Sequence, residues 1–304
     1  MSVAVFIDGA EGTTGIEIRE RLASCEGIET VTLADDRRKD VDARRAAIND
    51  ADGVILCLPD AAAKDAVAMI ANDRTRVIDA SSAHRVAQGW TYGFPELGFD
   101  VAGATRVTNP GCYPTGFLAL VAPLVRAGLL PADAALVVHG TSGYSGGGKS
   151  MIAEFEGGSG SAHRAYALGL GHKHVPEMTQ HAGLSVAPIF MPSVANIHRG
   201  MVIEVPIHSS QLAPGTTADQ LRAALAQAFN NAPLVRVASE DAKLIRIEDD
   251  AATDRMTLHV FGSPDASQFR LVATLDNLGK GASGAAVQNL NLMIGADPLT
   301  GLVT

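Results

Sequence analysis

The sequence predicts an α/β protein of two domains: a Rossmann-type, doubly wound parallel sheet, and an α+β domain whose sheet is mostly antiparallel. Up to about residue 110, short β-type runs alternate with helix-like stretches, as they do in βαβ units. After Pro131, longer runs alternate apolar and polar residues with period two, as antiparallel strands do. At roughly 150 residues per domain, a chain of 304 residues favours two domains.

The first domain is predicted to open with four strands and three intervening helices. The strands are VAVFI (3–7), ETVTLAD (29–35), GVILCLP (53–59) and RVIDA (76–80), and the helices are TGIEIRERLAS (14–24), DARRAAIND (42–50) and AAAKDAVAMIA (61–71). In the second domain the predicted strands are MVIEVPIH (201–208), RMTLHVFG (255–262) and FRLVATLD (269–276). Two further helices are predicted, at 216–230, which opens with a threonine pair that suits an N-cap, and at 281–295, where small residues indicate close packing.

Composition and charge narrow the class of protein. The chain is 47% hydrophobic and 19% charged, which is too apolar for a disordered protein. Its net charge of −9 argues against nucleic acid as a partner, because a duplex-binding surface is basic. The longest uncharged apolar stretch, 116–125, is too short to span a bilayer, and the N-terminus lacks the basic region of a secretory signal. We therefore expect a cytoplasmic protein without a membrane partner.

A glycine-rich turn follows the first strand. Gly9, Gly12 and Gly15 form a GxxGxxG pattern around Thr13 and Thr14, and this pattern opens the first helix. Glycines there let the backbone turn tightly and approach a pyrophosphate, which the positive helix N-terminus attracts. The position after the first strand predicts a dinucleotide site; the alternative is an ordinary glycine turn.

A basic cluster follows the second strand. This strand ends at Asp35, the position from which an acidic side chain binds a ribose 2′-hydroxyl in NAD-dependent proteins. Arg37, Arg38 and Lys39 follow at once. A cationic cluster suits a 2′-phosphate better than a hydroxyl, so the sequence favours NADP over NAD. The alternative is a solvated surface turn.

Cys112 is the candidate nucleophile among the three cysteines. It stands in NPGCYPTG (109–116), directly before an apolar helix at 117–128, and the N–H groups of a helix N-terminus favour the thiolate. Cys57 lies inside an apolar strand and is expected to be a small buried hydrophobe, whereas Cys25 is expected at the surface near a helix end. The sparse spacing indicates neither a disulfide framework nor a cysteine zinc site.

His172, His174 and Glu177 are the candidate acid/base residues. In an extended segment, residues two apart point the same way, so both imidazoles are predicted to face one cleft, where Glu177 can orient whichever imidazole transfers the proton. A metal site is the alternative. An HxH pair without a third ligand at a recognised spacing is weak support for zinc, so we predict no metal.

Residues 143–150, GYSGGGKS, match the P-loop pattern of nucleotide triphosphatases. They lie between a strand-like run (135–140) and a helix-like run (150–156), but at the point where the βα alternation ends. A P-loop also requires a Walker-B acid at the end of a neighbouring core strand, and Asp276 is only a weak candidate for that acid. The same glycines can instead bring backbone N–H groups near a cofactor or an acyl phosphate.

Four motifs, NPGCYPTG, SGYSGGGK, HKHVPEM and LDNLGKGASGAAVQNLN, together resemble the N-acetyl-γ-glutamyl-phosphate reductases of the shorter sequence class, across essentially the whole chain. The resemblance implies an NADP-binding Rossmann domain at 1–111 and 283–304, and a glyceraldehyde-phosphate-dehydrogenase-like domain for catalysis and oligomerisation at 112–282. It implies NADPH-dependent reductive dephosphorylation of N-acetyl-L-glutamyl 5-phosphate to N-acetyl-L-glutamate 5-semialdehyde, in arginine biosynthesis. Cys112 would carry a thioester, and His172 or His174 would be the acid/base.

The residue patterns and the resemblance together imply which residues bind the cofactor and the substrate. NADP would contact Gly9, Gly12, Thr13, Thr14, Gly15, Arg37, Arg38, Leu58, Pro59, Ser81, Ser145, Gly146 and Asn289. The acyl phosphate, which releases inorganic phosphate, would contact Ser82, Arg85, Asn109, Ser142 and Gly143. A homo-oligomer, either a dimer or a tetramer, is expected. The longer class carries segments that this chain lacks, so the resemblance does not specify the subunit contacts.

Three alternatives remain at the level of sequence. An acyl-phosphate reductase similar to aspartate-semialdehyde dehydrogenase would share the thiol and the cofactor but take another substrate. A P-loop ATPase would bind MgATP and ignore NADPH. A non-catalytic dinucleotide sensor would bind NADPH and have an inert Cys112, which alkylation near neutral pH would detect.

Overall fold

The computed structural model describes residues 2–239 and 242–304, and the chain divides into two compact units. Unit 1 comprises Met1–Gly111 and Ala282–Val303, and unit 2 comprises Cys112–Gly281 together with Thr304. Unit 1 begins with β1 (Val3–Asp8), α1 (Thr13–Leu22), β2 (Ile28–Val31), α2 (Val41–Asp50), β3 (Gly53–Leu56), α3 (Asp60–Ala68), β4 (Arg76–Asp79), β5 (Thr91–Tyr92) and β6 (Arg106–Thr108). Unit 2 contains α4 (Cys112–Arg126), β7 (Val137–Gly143), α5 (Gly148–Glu156), β8 (His163–Ala165), α6 (Val175–Ala182), β9 (Ile189–Ala195), β10 (Met201–His208), α7 (Ala218–Ala228), β11 (Val235–Val237), β12 (Met256–Gly262) and β13 (Gln268–Leu275), and the chain returns to unit 1 with α8 (Gly284–Ile294).

Unit 1 is built on a parallel sheet. Across residues 2–111, six strands lie in the order β2-β1-β3-β4-β6-β5, and every neighbouring pair is parallel. The chain leaves β1 toward β2 and then crosses back to β3 on the other side of β1. In open α/β sheets, ligands bind at the carboxyl ends of the strands on either side of such a reversal. The candidate cofactor site therefore lies at the carboxyl ends of β1 and β3.

Alternating side chains of β1 explain why helices cover both faces of this sheet. Val5 and Ile7 point to one face, where they pack with Ile18 of α1 and with apolar residues of α8. Phe6 points to the other face, where it packs with Ile48 of α2 and with α3. A parallel strand buried on both sides must be apolar at successive positions, as VAVFI is. The prediction of a doubly wound parallel sheet is confirmed.

Unit 2 is built on a mixed sheet that is mostly antiparallel, as predicted. Within the described part of 112–281, seven strands lie in the order β11-β12-β13-β10-β7-β9-β8. Four neighbouring pairs are antiparallel, and only β7 with β9 and β11 with β12 are parallel. The three strands predicted from period-two alternation are β10, β12 and β13. β8, β9 and β11 were not predicted, because two of them are only three residues long and β9 shows no regular alternation.

The predicted helices near the C-terminus are confirmed, and each has a local cause. α7 begins after Thr217, whose side chain accepts a hydrogen bond from Gln220 N, while the Thr217 backbone N–H donates to Oε1 of Gln220. This capping box satisfies N–H groups that a helix N-terminus otherwise leaves unpaired. α8 is buried along most of its length, as its small residues predict, and it ends at Gly295, whose φ of +74° suits glycine.

Helix α4 lies against one face of the sheet of unit 2 and is buried from Tyr113 to Leu124. Gly116 allows the close approach, because a Cβ there would lie 2.6 Å from Ile203 of β10. Gly140 of β7 does the same for the start of the helix, since the Tyr113 ring occupies the space where its Cβ would stand. The N-terminus of α4, with Cys112, is therefore fixed over the middle of the sheet.

Candidate functional site

The glycine turn after β1 is shaped by close backbone approaches. Gly9 has φ of +87°, and a Cβ there would lie 2.3 Å from the carbonyl oxygen of Cys57 at the end of β3. A Cβ on Gly15 would lie 2.5 Å from the carbonyl oxygen of Gly9, and Gly12 is the N-cap of α1. The predicted glycines thus stand together where the strand order reverses, and any side chain at Gly9 or Gly15 would fill the turn.

The start of α1 offers polar groups beside this turn. Thr13 Oγ1 is buried and has no hydrogen-bond partner among residues 2–239 and 242–304, and Thr14 follows it, half-buried. An unsatisfied hydroxyl and the free N–H groups of a helix N-terminus fit an anionic group such as a pyrophosphate. Leu58 packs on the core beside β3, and Pro59 is the N-cap of α3. These four residues therefore lie at the ends of the two strands that frame the predicted dinucleotide site.

The predicted basic cluster lies in the turn after β2. Arg37 and Arg38 are exposed, and the Arg38 guanidinium lies 3.6 Å from the carboxylate of Asp35. Sequence reasoning missed a second acid nearby: Asp8, the last residue of β1, is buried and forms an ion pair of 2.8 Å with Arg44 of α2. Asp8 is thus neutralised within unit 1.

The predicted serine loop is organised by an acid that the sequence did not single out. Asp79, the last residue of β4, is fully buried, and it accepts hydrogen bonds from the N–H and the hydroxyl of Ser81. Nδ1 of His84 lies 2.6 Å from the same carboxylate, and its ring stacks on Trp90 at a centroid distance of 4.2 Å. Ser82 donates instead to Asp60 at the start of α3. An acidic residue that ends an apolar strand was the signal for Asp79.

Three more predicted residues of unit 1 form one hydrogen-bond chain. Arg85 is buried and donates from Nε to the carbonyl oxygen of Asn109 at 3.1 Å. The Asn109 side chain donates to Ala282 O and accepts from Nδ2 of Asn289 on α8. Asn289 Nδ2 also donates to Gly93 O, whereas its Oδ1 is buried and has no partner in the described part of the chain. The structure thus brings Arg85, Asn109 and Asn289 together.

In unit 2, Cys112 is the half-buried first residue of α4. Its neighbour Tyr113 donates from the phenol to Ser193 O of β9 at 2.9 Å, and the phenol of Tyr166 donates to that of Tyr113 at 3.4 Å. Burial raises the pKa of Tyr113 well above its usual value of 10.0, and burial also raises the pKa of Tyr166 to about 12. Both phenols therefore stay protonated near neutral pH. Sequence reasoning missed this pair.

The predicted histidines meet, but not in an extended segment. His174 has φ of −83° and ψ of −15° as the N-cap of α6, so residues 172–174 form a turn, and the prediction of an extended stretch was wrong. The turn arises because Pro176 starts the helix here. The N–H of His174 donates to Nδ1 of His172 at 3.1 Å, and the two ring centroids are 4.7 Å apart. Glu177 is buried in the first turn of α6.

The other two cysteines are unsuited to act as nucleophiles. Cys57 is half-buried after β3, and burial together with the charges of Asp79 and Asp8 raises the pKa of its thiol to about 12. Cys25 is 5% exposed in the core beside α1 and α8, so its expected surface position was wrong. Burial raises its thiol pKa as well. Cys25 is buried because the C-terminal segment covers it: a Cβ on Gly301 would touch its sulfur.

The P-loop alternative fails on the hydrogen bonds of its own backbone. A phosphate-binding loop leaves its N–H groups free to contact phosphate. Here the N–H groups of Gly143, Tyr144 and Ser145 donate to the carbonyl oxygens of residues 197–200, and Lys149 is exposed. Because these three N–H groups are engaged, Ser145 can contact a ligand only through its hydroxyl, and Gly143 only through its carbonyl oxygen.

The predicted polar residues of this loop are largely engaged within unit 2. The hydroxyl of Ser142 donates to Gly143 O, and the buried Ser145 accepts from Nδ2 of Asn277 at 2.9 Å. Gly146 is exposed, and Gly143 lies against the backbone of Arg199. A Cβ on Gly146 would lie 3.1 Å from the Ser142 hydroxyl, so the exposed Gly146 lies next to the buried Ser142.

Asp276, the weak candidate for a Walker-B acid, instead binds the backbone of neighbouring segments. Its carboxylate pairs with Arg199 at 2.6 Å and accepts from the N–H groups of Ala252, Leu278 and Gly279. The segment that it fixes leads into a π-helical turn, Gly279–Ser283, in which a Cβ on Gly281 would lie 3.0 Å from that of Cys112. Asp276 therefore shapes the backbone next to Cys112.

Within 2–239 and 242–304, His, Cys, Asp and Glu side chains form no group of three that could hold a metal ion. No helix in the same ranges is both long and apolar enough to cross a membrane.

Comparison with known proteins agrees with this architecture. Residues 4–104 match the NAD-binding domain of semialdehyde dehydrogenases, and residues 112–277 match their dimerisation domain, so the chain has the means to self-associate. Among solved structures, an aspartate semialdehyde dehydrogenase II of Vibrio cholerae in complex with ASA has a TM-score of 0.73 at 16% identity, covering 97% of this chain and 99% of that one. At such low identity the likeness shows a shared fold only.

Sequence relatives are much more similar. A Burkholderia lata protein named N-acetyl-gamma-glutamyl-phosphate reductase is 50% identical over 303 residues, which is 96% of each chain. One of the same name from Sinorhizobium fredii is 46% identical over 308 residues, covering 97% of this chain and all of the relative. The chain therefore belongs to the N-acetyl-γ-glutamyl-phosphate reductase family of semialdehyde dehydrogenases, and it is an NADP-dependent oxidoreductase of amino-acid biosynthesis.

Proposed function

We propose that the chain reduces N-acetyl-L-glutamyl 5-phosphate to N-acetyl-L-glutamate 5-semialdehyde with NADPH, releasing inorganic phosphate, as a step of arginine biosynthesis. The observation that carries the proposal is the position of Cys112 as first residue of α4, in a unit where His172 and His174 pack on the adjacent Tyr113. Relatives with 46–50% identity that bear the corresponding name support this substrate over aspartyl phosphate.

Cys112 is assigned the nucleophilic step. Its sulfur attacks the acyl carbon, the bond from that carbon to the phosphate oxygen breaks, and phosphate leaves with the electron pair. A thioester on Cys112 remains. The N-terminal end of α4 carries the positive end of the helix dipole, and we assign to it the stabilisation of the negative charge on sulfur and on the acyl oxygen.

His174 is assigned the acid/base step. Nδ1 of His172 already accepts the N–H of His174, whereas acid/base cycling needs a ring that gains and loses a proton freely. His174 then donates a proton to the acyl oxygen during reduction and recovers it as the aldehyde forms and the thiolate leaves. Glu177, one turn along α6, is assigned the role of orienting the His174 imidazole.

The residues of unit 1 fit a dinucleotide. The turn that Gly9 and Gly15 keep free of side chains, and the unsatisfied Thr13 Oγ1, suit a pyrophosphate. The buried Oδ1 of Asn289 suits an amide donor such as a carboxamide N–H. Arg37 and Arg38 are assigned to the 2′-phosphate. When bound, NADPH supplies the hydride that reduces the thioester.

The remaining predicted contacts complete the proposal. Leu58, Pro59, Ser81, Ser145 and Gly146 are assigned to the cofactor, and the substrate is assigned to a second set: Ser82, Arg85, Asn109, Ser142 and Gly143. Residues 1–111 and 283–304 form the cofactor domain, and 112–282 form the catalytic and oligomerisation domain. We assign the protein a dimeric or tetrameric state and a cytoplasmic location.

The test is reduction of NADP with N-acetylglutamate semialdehyde, followed by the absorbance of the reduced cofactor, with and without inorganic phosphate. We expect reduction that depends on phosphate, because the reverse reaction needs phosphate to cleave the thioester. Cys112→Ser should abolish turnover and leave NADPH binding unchanged, since Cys112 belongs to unit 2 and the glycine turn to unit 1.

Each other outcome has a distinct meaning. Activity with aspartate semialdehyde alone would support the thioester mechanism and refute the assignment of N-acetylglutamyl phosphate as the substrate. Activity that persists in Cys112→Ser would eliminate the thioester. NADPH binding without turnover of either aldehyde would leave a dinucleotide sensor.

A further inference from the structure

One hydrogen bond determines the protonation pattern of His172. Its Nδ1 accepts from the backbone N–H of His174 at 3.1 Å. A backbone amide can only donate, so Nδ1 presents its lone pair, and the proton of the neutral ring lies on Nε2. The backbone of α6 therefore selects one tautomer of His172.

Aromatic side chains hold the His172 ring in this orientation. The centroids of His174, Phe190, Tyr166 and Tyr113 lie 4.7, 5.0, 5.8 and 6.4 Å from that of His172, all in edge-on geometry. They belong to different segments of unit 2: the start of α6, β9, the segment after β8, and α4. A ring flip that exchanged the two nitrogens would break the hydrogen bond and displace these neighbours.

The same surroundings disfavour a doubly protonated ring. A proton on Nδ1 would oppose the amide N–H of His174 and leave that N–H without its acceptor. Three titratable residues whose rings contact that of His172 are Tyr113, Tyr166 and His174. Burial raises the pKa of both tyrosines, so neither phenol carries a negative charge near neutral pH that would stabilise an imidazolium.

We propose that His172 is a positioning residue: through Nδ1 it fixes the turn that carries His174, and it does not itself exchange protons in the reaction. This inference rests on the proposed function, in which His174 is the acid/base. It deepens that function, because it gives the two histidines of the HKH segment separate tasks.

Two variants separate positioning from proton transfer. In His172→Asn, the amide oxygen is bonded to Cγ, as Nδ1 is in histidine, so it can still accept the N–H of His174. In His172→Gln, the amide oxygen lies one bond further out and misses it. We expect kcat of His172→Asn to stay within about tenfold of the wild type, and His172→Gln to lose more. Both should keep the pH dependence of kcat/KM that the acid/base residue gives, whereas His174→Gln should lose it together with about 100- to 10,000-fold in kcat.

Two measurements decide the matter. Loss of that pH dependence in His172→Asn, with a fall of about 100-fold or more, would make His172 the acid/base and overturn the inference. Nitrogen-15 spectra of the histidine rings in the wild-type protein test the same point without substrate: we expect the Nε2–H tautomer of His172 near neutral pH, and an Nδ1–H or doubly protonated ring would overturn it. A wild-type protein that fails to turn over the acyl phosphate would refute the proposed function, and the spectrum would still decide the tautomer.

Discussion

A single methyl group at Gly9 should close the turn that we assign to the cofactor. Ala at this position meets two separate costs. The first is φ of +87°, which costs an L-residue about 1–2 kcal/mol in the left-handed region. The second is the Cβ at 2.3 Å from the carbonyl oxygen of Cys57, a backbone atom that cannot rotate away, and relieving such an overlap costs about 1–3 kcal/mol.

Gly27 is a matched control, because it isolates the first cost. It has φ of +81°, and a Cβ there would meet nothing within 4 Å. Gly27 precedes β2, at the amino edge of the sheet, whereas Gly9 follows β1 at the carboxyl edge. We therefore expect Gly27→Ala to lower the free energy of unfolding by about 1–2 kcal/mol and to leave NADPH affinity unchanged.

Gly9→Ala should lose about 2–5 kcal/mol in stability, the sum of both costs, and bind NADPH at least about tenfold more weakly. Stability is measured by urea unfolding followed by circular dichroism. NADPH affinity is measured by titration of NADPH fluorescence at urea concentrations well below the unfolding midpoint, where each variant is folded. The reasoning would be refuted if Gly9→Ala bound NADPH as the wild type does, or if its loss of stability did not exceed that of Gly27→Ala.

Three further predictions concern cysteines and cofactor choice. Iodoacetamide near neutral pH should modify Cys112 before Cys57 and Cys25, whose thiol pKa values are raised by burial; peptide mass spectrometry measures the order, and early labelling of Cys57 would contradict it. The Cys57 thiol has a pKa of about 12 in the folded chain against an ordinary 9.0, so the unfolded chain loses this proton first, and the free energy of unfolding should fall as pH rises from 9.0 towards 12. In urea titrations at several pH values, Cys57→Ala should lose this part of the pH dependence. An unchanged dependence of stability on pH in that variant would argue against this cause. Replacing Arg37 and Arg38 by Ala should raise KM for NADPH about 10- to 100-fold and leave KM for NADH unchanged, and an equal rise for both cofactors would remove their assignment to the 2′-phosphate.

Local sequence patterns predicted a large part of the fold. The apolar run of β1 and the alternation of β10 each report which faces of a strand are buried, and that information lies within a few neighbouring residues. The same holds for the glycine turn after β1 and for Cys112 at the start of α4, because a turn and a helix start depend on adjacent residues.

Other features depended on partners that are distant along the chain. The P-loop pattern at 143–150 is correct in its letters, yet its N–H groups are taken by the carbonyls of residues 197–200, which only the sheet brings near. Asp276 and Arg199 are 77 residues apart, and Tyr113 and Ser193 are 80 apart. No local pattern encodes such pairs.

The sequence by itself determined the fold class, the position of the glycine turn and the candidate nucleophile, because periodicity, turn chemistry and helix starts are local properties. Only the tertiary structure decided that Cys25 is buried, that Asp79 organises the serine loop and that His172 accepts a hydrogen bond from the turn of His174. Burial and hydrogen-bond direction follow from the packing of segments against one another and from the turn that this packing holds, and a sequence pattern does not specify either.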